Sequence, residues 1–420
     1  MKVITFFLML LYPFISWSQD SLDISSCIEA AIRNHPRSED RDLIGNVQMN
    51  KMFIAGAGWK PTVDLKAQAS YQSDVIEIGA EIPLPGVEFP VPSKDQYKMY
   101  LEVNQTLYDG GRIRQQKILE EMSAQAEILK LETEIDNIKS EILDLFYSAL
   151  QVQEKIKILG LTREILQEKV SLIESGIRNG IMMESDLDLV NIEVMGIDQE
   201  IKAADLLRKS LLTILGQKCG LELDENTALV QSNYSFKKSE SERKELELFE
   251  LQKNSLDAGR VMKDKTRMPV VFAFGQFGYG NPGLNMLNDQ FDTYYYMGAG
   301  LKWNIWDWGT TRKEKENLLF QSRMVDNRKA EFLSGIRSAL TAKESIIQTH
   351  IENIAAMEEL VKLRREITGI YASRLNEGIL QPSDYIEVTN QLEITMLKLA
   401  VEKILLQKSI AEYYYLNGEL

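Results

Sequence analysis

Two long stretches of the chain have the hydrophobic pattern of an α-helix. From Arg112 to Ile177 (112–177) apolar residues recur at steps of three and four, and no proline interrupts them. Residues 311–375 have the same pattern and are equally free of proline. At 1.5 Å per residue each helix would be roughly 100 Å long, which predicts a coiled coil or a helical tube rather than a globular domain.

Shorter helices are predicted beside the long ones. One covers residues 23–58 and another 184–215, and laid end to end they would also measure roughly 100 Å. They can therefore form a second rod, antiparallel to the first. In the second half of the chain, Pro382 is tolerated in the first turn of a return helix that Ser383 or Asp384 would cap.

Alternation of apolar and polar residues predicts four strands, two ahead of each long helix. They cover residues 62–71, 97–106, 270–280 and 294–306. In the first strand Val, Leu, Ala, Ala and Tyr face one side and Thr, Asp, Lys, Gln and Ser the other, whereas aromatic residues blur the alternation of the third. Each strand has about the length that crosses an outer membrane when tilted.

Aromatic residues gather at one end of the strand pairs: Trp59, Tyr108, Trp303, Trp306 and Trp308. In this position they resemble the interfacial girdle of a membrane protein. Each strand alone would also fit an ordinary half-buried sheet, but four strands with a girdle favour a membrane location. Four strands cannot close a barrel and an open edge is not tolerated in lipid, so we expect three chains to supply twelve strands.

The sequence contains an internal repeat, with an offset of 198 residues between its two copies. Asp109 and Gly111 in the sequence LYDGGRIRQQK correspond to Asp307 and Gly309 in IWDWGTTRKEK. Both motifs stand where a strand is predicted to bend into a long helix, and glycine adopts backbone angles there that other residues avoid. We call these two motifs the corners.

A second motif repeats at the same offset and marks the far end of each long helix. Three residues correspond in the two halves: Gly180 with Gly378, Ser185 with Ser383, and Asp186 with Asp384. In both halves 71 residues separate the corner aspartate from this glycine, as expected for a rigid helix of fixed length. We call the two turns the tips.

The repeats define the predicted organisation of the chain. Residues 1–19 have one lysine ahead of an apolar run that is too short to span a bilayer, which is typical of a secretory signal peptide. Repeat one covers 20–218, an equatorial linker 219–240, and repeat two 241–420. The remaining predicted parts are the tips at 178–184 and 376–382 and the return helices at 185–216 and 383–416.

Composition narrows the range of functions. With 62 acidic and 48 basic residues the chain carries a formal charge of −14, so no attraction to nucleic acid is expected. Two histidines and two cysteines nearly exclude a Cys/His metal cluster. Neither His35 nor His350 has neighbours suited to nucleophilic catalysis, so no enzyme activity and no cofactor are predicted. No segment after the signal peptide reaches ~18 consecutive apolar residues, so no transmembrane helix is predicted.

Cys27 and Cys219 leave two alternatives open. The first helix starts, and the first return helix ends, at the same level of the predicted tube. A disulfide between the two would be chemically allowed in the periplasm, and two separate buried thiols are the other alternative.

The signal peptide, the doubled aromatic-Asp-x-Gly corner and the doubled Gly-x4-Ser-Asp tip resemble the TolC-like outer-membrane efflux proteins, over residues 20–420. The resemblance implies a mainly α-helical fold with a small transmembrane β portion and an internal two-fold repeat. Four strands per chain would enter a trimeric twelve-stranded β-barrel, and long antiparallel helices would form a periplasmic coiled-coil tube.

The resemblance also implies a function and partners. The chain would be a homotrimer in the outer membrane of a Gram-negative bacterium, with outer-membrane lipid around it. It would be the exit duct of a tripartite efflux pump or a type I secretion system, a passive channel opened at its periplasmic end. A periplasmic adaptor (membrane fusion) protein and an inner-membrane transporter of the RND or ABC type would be its partners.

Gating residues are assigned by position within the resemblance. Acidic residues after the tip glycine narrow the closed mouth, and here these are Asp186, Asp384 and, one turn later, Glu387. In a trimer they would form a ring that favours cations and resists closure unless it is screened. The alternative for Asp186 and Asp384 is that they are helix caps.

The positions that would hold a tyrosine and an arginine of the closed-state lock are Leu375 and Leu380 here, which puts a matching lock in doubt. Arg178 and Arg374 could pair differently. An adaptor would dock at the tips, where Gly180, Ser185, Gly378 and Ser383 lie.

One rival interpretation keeps the long helices and removes the pore. The chain would then be a secreted or periplasmic coiled-coil scaffold or adhesin, with its strands in a sheet outside the bilayer.

Overall fold

The computed structural model describes residues 22–75, 93–239, 243–286 and 288–420. The predicted signal peptide at 1–19 lies outside these residues, as does the last residue of the predicted linker. The described part is mainly helical with one four-stranded antiparallel sheet, which confirms the predicted fold class at the level of one chain.

The helices and strands alternate in the order that the two repeats predict. The helices are α1 (Ile24–Asn34), α2 (Asp40–Ala57), α3 (Arg112–Asp136), α4 (Ile138–Arg178), α5 (Glu184–Cys219), α6 (Lys244–Thr266), α7 (Thr310–Asn376) and α8 (Pro382–Asn417). The strands are β1 (Thr62–Tyr71), β2 (Asp95–Tyr108), β3 (Val270–Asn281) and β4 (Asp292–Lys302). None of the helices in the described part of the chain is both long and apolar enough to cross a membrane.

The first helix is shorter than predicted. One helix was expected over 23–58, but α1 ends at Asn34 and a 3₁₀ turn over Pro36–Glu39 separates it from α2. The cause is Pro36, because the residue before a proline avoids helical backbone angles. His35 accordingly is extended, with φ −61° and ψ 129°.

The first long helix is also interrupted, so the prediction of one continuous helix is wrong at Asn137. The N–H of Asn137 donates to the carbonyl of Glu134 at 3.3 Å and the N–H of Ser140 donates to the carbonyl of Asn137 at 3.2 Å, which are the three-residue steps of a tightened turn. The side chain of Asn137 accepts a hydrogen bond from the hydroxyl of Tyr415 at 3.3 Å. At the equivalent position in the second half, Gly335, α7 continues without a break.

The sheet has the order β1-β2-β3-β4, and every neighbouring pair is antiparallel. One row of paired residues runs across all four strands and consists of Leu65, Leu101, Phe277 and Tyr295. In the rows on either side of it, Asp64 and Lys66 of β1 lie opposite polar residues of β2. The sheet thus has an apolar face and a more polar face, and the outer edges of β1 and β4 have no strand beside them in the described chain.

The fourth strand ends earlier than predicted. Pairing of β4 with β3 stops at Lys302, which lies opposite Val270, so residues 303–306 of the predicted strand lie outside the sheet. The physical reason is Pro269, which precedes Val270 and has no N–H group to continue the ladder.

Two compact units divide the chain, and each contains segments of both repeats. The helical unit comprises the chain up to Ser38 together with Glu132–Lys244 and Phe332–Leu420. The strand unit comprises Glu39–Leu131 and Glu245–Glu331.

The core of the helical unit consists of two main clusters. In the first, α1, α4, α5 and α8 bury Phe146, Leu215 and both cysteines. The thiol of Cys219 lies 3.4 Å from the carbonyl oxygen of Cys27, and the structure contains both as free thiols in contact rather than as a disulfide. The second cluster joins α4, α5 and α8 to the end of α7 near the tips.

Candidate functional site

The first tip is a compact turn between α4 and α5. Gly180 has φ +72°, a left-handed conformation, and the N–H of Ile181 donates to the carbonyl of Gly176 at 2.9 Å. The carboxylate of Asp186 then accepts a hydrogen bond from the N–H of Met183 at 2.9 Å. Asp186 is therefore a capping residue of α5 in this chain, which was the alternative to its gating role.

The second tip has the same backbone but a different carboxylate. Gly378 has φ +71°, and the N–H of Ile379 donates to the carbonyl of Arg374 at 3.0 Å. Asp384 occupies the same third position of its helix, yet its carboxylate is exposed and caps nothing in the described chain. Glu387 is exposed one turn later, so these two acids remain available at the start of α8.

The two tips touch each other within the helical unit. A Cβ atom at Gly378 would lie 3.4 Å from the Cγ2 atom of Ile181. Ser185 and Ser383 are exposed on either side, together with the apolar Ile181 and Ile379. The structure thus brings all the predicted docking residues to one end of the helical unit.

The predicted lock positions belong to the core. Leu375 is 1% exposed and packs in the cluster beneath the tips, and Leu380 packs partly buried against the same cluster. Arg178 and Arg374 are exposed, and within the described ranges neither forms an ion pair. Within one chain, Leu375 and Leu380 therefore contribute apolar packing at these two positions.

The first corner is built on a buried aspartate. Asp109 is 2% exposed and accepts the N–H of Gly111 at 2.8 Å and that of Ile113 at 2.6 Å, so it caps α3. Both Gly110 (φ +68°) and Gly111 (φ +86°) are left-handed. A Cβ atom at Gly110 would lie 2.1 Å from the Cβ atom of Met268, so only glycine fits there.

The second corner repeats the cap with one change. Asp307 accepts the N–H of Gly309 at 3.0 Å and that of Thr311 at 3.1 Å. Hydrogen bonds from the side chain and N–H of Thr311 and from Gly309, with the positive charge of Arg267 nearby, lower the pKa of Asp307 below its ordinary value. Trp308 takes the place of Gly110 and has φ +55°, which is rare for a bulky residue, and its side chain is 87% exposed.

All members of the predicted aromatic girdle are exposed at the end of the sheet where the corners lie: Trp59, Tyr108, Trp303, Trp306 and Trp308. Gln105 of β2 donates to the carbonyl of Trp59 at 2.6 Å and so fixes the start of β1 beside the end of β2. Within the described ranges, no group of three or more His, Cys, Asp or Glu side chains could hold a metal ion.

Sequence reasoning missed the contribution of α6 to the first corner. Met268 follows α6 and excludes any side chain at position 110, and the amide of Gln115 donates to the carbonyl of Ala258 in α6 at 3.0 Å. The one signal for this contact was Gly110, the first glycine of the DGG sequence, which a cap alone does not require.

Comparison with known proteins agrees with this geometry. The family model of the outer membrane efflux protein matches residues 50–212. No curated protein matches the chain. The description of the matching family agrees with the outer-membrane location predicted from the sequence.

Solved structures show the same fold over nearly the whole chain at low sequence identity. The outer membrane protein VceC from Vibrio cholerae has a TM-score of 0.65 at 13% identity, covering 94% of this chain and 96% of that one. CusC has a TM-score of 0.68 at 12% identity, with 97% and 95% covered. The MtrE outer membrane channel of Neisseria gonorrhoeae in its open state has a TM-score of 0.66 at 12% identity, with 94% and 89% covered.

The resemblance stated from the sequence is thereby confirmed: residues 50–212 match the outer membrane efflux protein family model, and the chain has the fold of solved outer-membrane channels.

Proposed function

We propose that the chain is the exit duct of a tripartite efflux pump or a type I secretion system, a passive channel through the outer membrane. The observation that carries the proposal is the four-stranded sheet. It has one apolar face, an exposed aromatic girdle and two edges that have no neighbouring strand among the described residues. In water such a sheet would be a site of aggregation, whereas three copies joined edge to edge in lipid would have no free edge.

The direction of the faces follows from polarity. The row of Val63, Leu65 and Tyr71 is exposed and suits lipid. On the opposite face Lys66 and Glu102 form an ion pair at 2.5 Å, which suits a water-filled lumen. The twelve strands of a homotrimer would thus enclose a lumen, with their charged side chains facing it.

The tips are the proposed periplasmic end. Asp384 and Glu387 are exposed and uncapped, so in a trimer they would form the acidic ring that narrows the mouth, with Arg178 and Arg374 nearby. Asp186 contributes mainly as a cap. An adaptor protein would contact the exposed Gly180, Ser185, Gly378 and Ser383 and open the mouth, and an RND or ABC transporter would supply the cargo.

Fractionation and conductance test the proposal. The full chain should be recovered from the outer-membrane fraction of the expressing cells, and the purified protein should form long-lived conducting pores in a planar bilayer. Recovery only in the soluble periplasm, with no conductance, would instead favour a scaffold or adhesin without a pore.

A further inference from the structure

The charge of the chain is distributed unevenly. The whole chain carries −14, yet four segments of the strand unit contain twelve basic and six acidic residues. These segments, residues 51–60, 109–117, 257–268 and 307–316, are called the basic collar. They contain both corners, the end of α2 and the end of α6, and they include or adjoin most of the aromatic girdle.

Contacts within the strand unit hold the basic collar together. The side chain of Lys265 lies 3.8 Å from a Cβ position on Gly111, which places the end of α6 at the first corner. The amino group of Lys117 lies 3.0 Å from a Cβ position on Gly56 near the end of α2. A cavity of about 500 Å³ between the end of α6 and the start of α7 is lined by five basic residues, among them Arg267 and Arg312, and by the two acidic residues Asp264 and Glu316.

Many of these cations have no acidic partner. Lys263 pairs with Glu314 at 3.1 Å and Lys315 with Asp264 at 2.7 Å. Five others form no ion pair with any residue that the structure describes: Arg112, Arg114, Lys117, Lys265 and Arg312. The amino group of Lys60 lies 4.5 Å from the ring centre of Phe53, so its charge too is not neutralised by an acid.

The arginines of the basic collar lie where positive charge destabilises the helices. The first turns of α3 and α7 contain no acidic residue, although the helix dipole favours negative charge there. Arg112 and Arg114 lie in the first turn of α3 instead, and Arg312 lies in the first turn of α7. Asp109 and Asp307 already accept the first free N–H groups, so the unsatisfied groups are the guanidinium side chains and not the helix ends.

The pattern is repeated between the two halves. At the offset of 198 residues, Arg114 corresponds to Arg312 and Lys117 to Lys315. Exposed tryptophans adjoin these cations, and aromatic girdles lie at the level of lipid headgroups. A membrane surface with anionic lipids attracts basic side chains, and arginine binds phosphate oxygens through two parallel hydrogen bonds.

We propose that the basic collar binds the phosphate groups of anionic glycerophospholipids in the leaflet beside the aromatic girdle. The proposal rests on the proposed function, since it requires the sheet to lie in a bilayer. The bound lipid neutralises cations that the chain leaves unpaired and fixes the depth of the corners at the membrane surface.

The native tryptophans provide the probe. Every tryptophan after the predicted signal peptide belongs to the girdle, so brominated lipids next to the basic collar should quench the fluorescence. The full-length mature chain is inserted into phosphatidylethanolamine vesicles that contain either brominated phosphatidylglycerol or brominated phosphatidylethanolamine at the same fraction. We expect local enrichment of phosphatidylglycerol on the order of fivefold, reduced at high salt.

The test variant is Arg112→Gln/Arg114→Gln/Arg312→Gln. The matched control is Arg323→Gln/Arg328→Gln/Arg337→Gln, which removes the same charge from exposed positions further along α7. The proposal expects loss of the preference in the test variant and its retention in the control. A preference that both variants lose equally would show a general charge effect and overturn the proposal.

Two other outcomes separate this proposal from the proposed function. Equal quenching by both brominated lipids in the unmodified protein would overturn lipid binding by the basic collar but leave membrane insertion intact. Absence of quenching by either lipid would show that the sheet is not inserted, and both proposals would fail. If the collar instead faces a neighbouring copy of the chain, the test variant would change assembly but not the lipid preference, which also overturns the proposal.

Discussion

The two corners have the same cap but differ at the residue after the aspartate. Gly110 in the first corner and Trp308 in the second are both left-handed, with φ +68° and +55°. The backbone of the motif therefore does not require glycine at this position, although a side chain there has a cost. The surroundings determine whether a side chain is tolerated at this position. Met268 fills the space beside Gly110, whereas the side chain of Trp308 is 87% exposed.

The largest effect is expected from Gly110→Ala. The new Cβ would clash with the Cβ of Met268 at 2.1 Å and add left-handed strain, so we expect a loss of about 3 kcal/mol in the free energy of unfolding. Thermal unfolding of the purified protein in detergent, followed by circular dichroism, measures it. Met268→Gly should restore part of the loss and Met268→Ala should not, because alanine keeps the clashing atom.

The matched change at the second corner has the opposite sign. Trp308→Gly removes left-handed strain and no buried contact, so the free energy of unfolding should rise by about 1 kcal/mol. The same melting experiment measures it. A loss of stability in this variant would mean that the tryptophan is anchored by contacts outside the single chain, for example in the girdle.

Removal of the capping aspartates should have an effect between these two in size. Asp109→Ala leaves two N–H groups without an acceptor in a buried place and should cost about 2 kcal/mol. Asp307→Ala should cost less because its surroundings are open to water. If the two variants lose the same free energy of unfolding, the greater burial of Asp109 does not strengthen its cap.

The lowered pKa of Asp307 predicts a dependence on pH. Its carboxylate is stabilised in the folded state, so its contribution is complete well above the ordinary value of 3.8 and is lost as the pH falls through the lower folded pKa. The difference in melting temperature between the unmodified protein and Asp307→Asn should therefore be constant near neutral pH and disappear in strong acid. A difference that grows on acidification would contradict the assignment.

The corners also show how far the sequence could be interpreted. The glycines Gly111 and Gly309 were predictable because a strand that bends into a capped helix requires left-handed backbone there. The left-handed backbone of Trp308 was not predictable, because the residue type does not indicate that its side chain is exposed to solvent. Pro36 was present in the sequence and its effect on α1 follows from local sterics. The turn at Asn137, by contrast, contacts the hydroxyl of Tyr415, which is distant along the chain.

At the tips, Asp186 and Asp384 differ in a way that the sequence pattern could not show. Both acids hold the third position of a helix, so the sequence pattern is identical. Whether a carboxylate turns back onto the N–H before the helix depends on the turn that precedes it, and only Asp186 does so. Spacing can place a side chain on a turn but cannot fix its rotamer.

A smaller effect is expected where the two long helices differ. Gly335 lies within α7 with no atom within 4 Å of its Cβ position, so Gly335→Ala should fit without a clash. Because glycine is a poorer helix former than alanine, stability should rise by about 0.8 kcal/mol. Thermal unfolding checks it, with Gly160→Ala in α4, equally open, as the matched control. A loss at Gly335 alone would show that α7 needs flexibility at the position where the first long helix breaks.

The smallest effect on stability separates the two tips. Asp186→Asn weakens a cap and should cost about 0.5 kcal/mol, while Asp384→Asn should leave the melting temperature unchanged. Conductance should respond in the reverse order, because the exposed carboxylate of Asp384 is free to attract cations at the proposed mouth, whereas that of Asp186 is held in the cap. Cation selectivity in a planar bilayer should therefore fall in Asp384→Asn and in Glu387→Gln but hardly in Asp186→Asn. If all three variants kept the selectivity of the unmodified protein, the narrowest charged part of the channel would lie away from the tips. An acidic ring at the constriction would have to affect the passing ions.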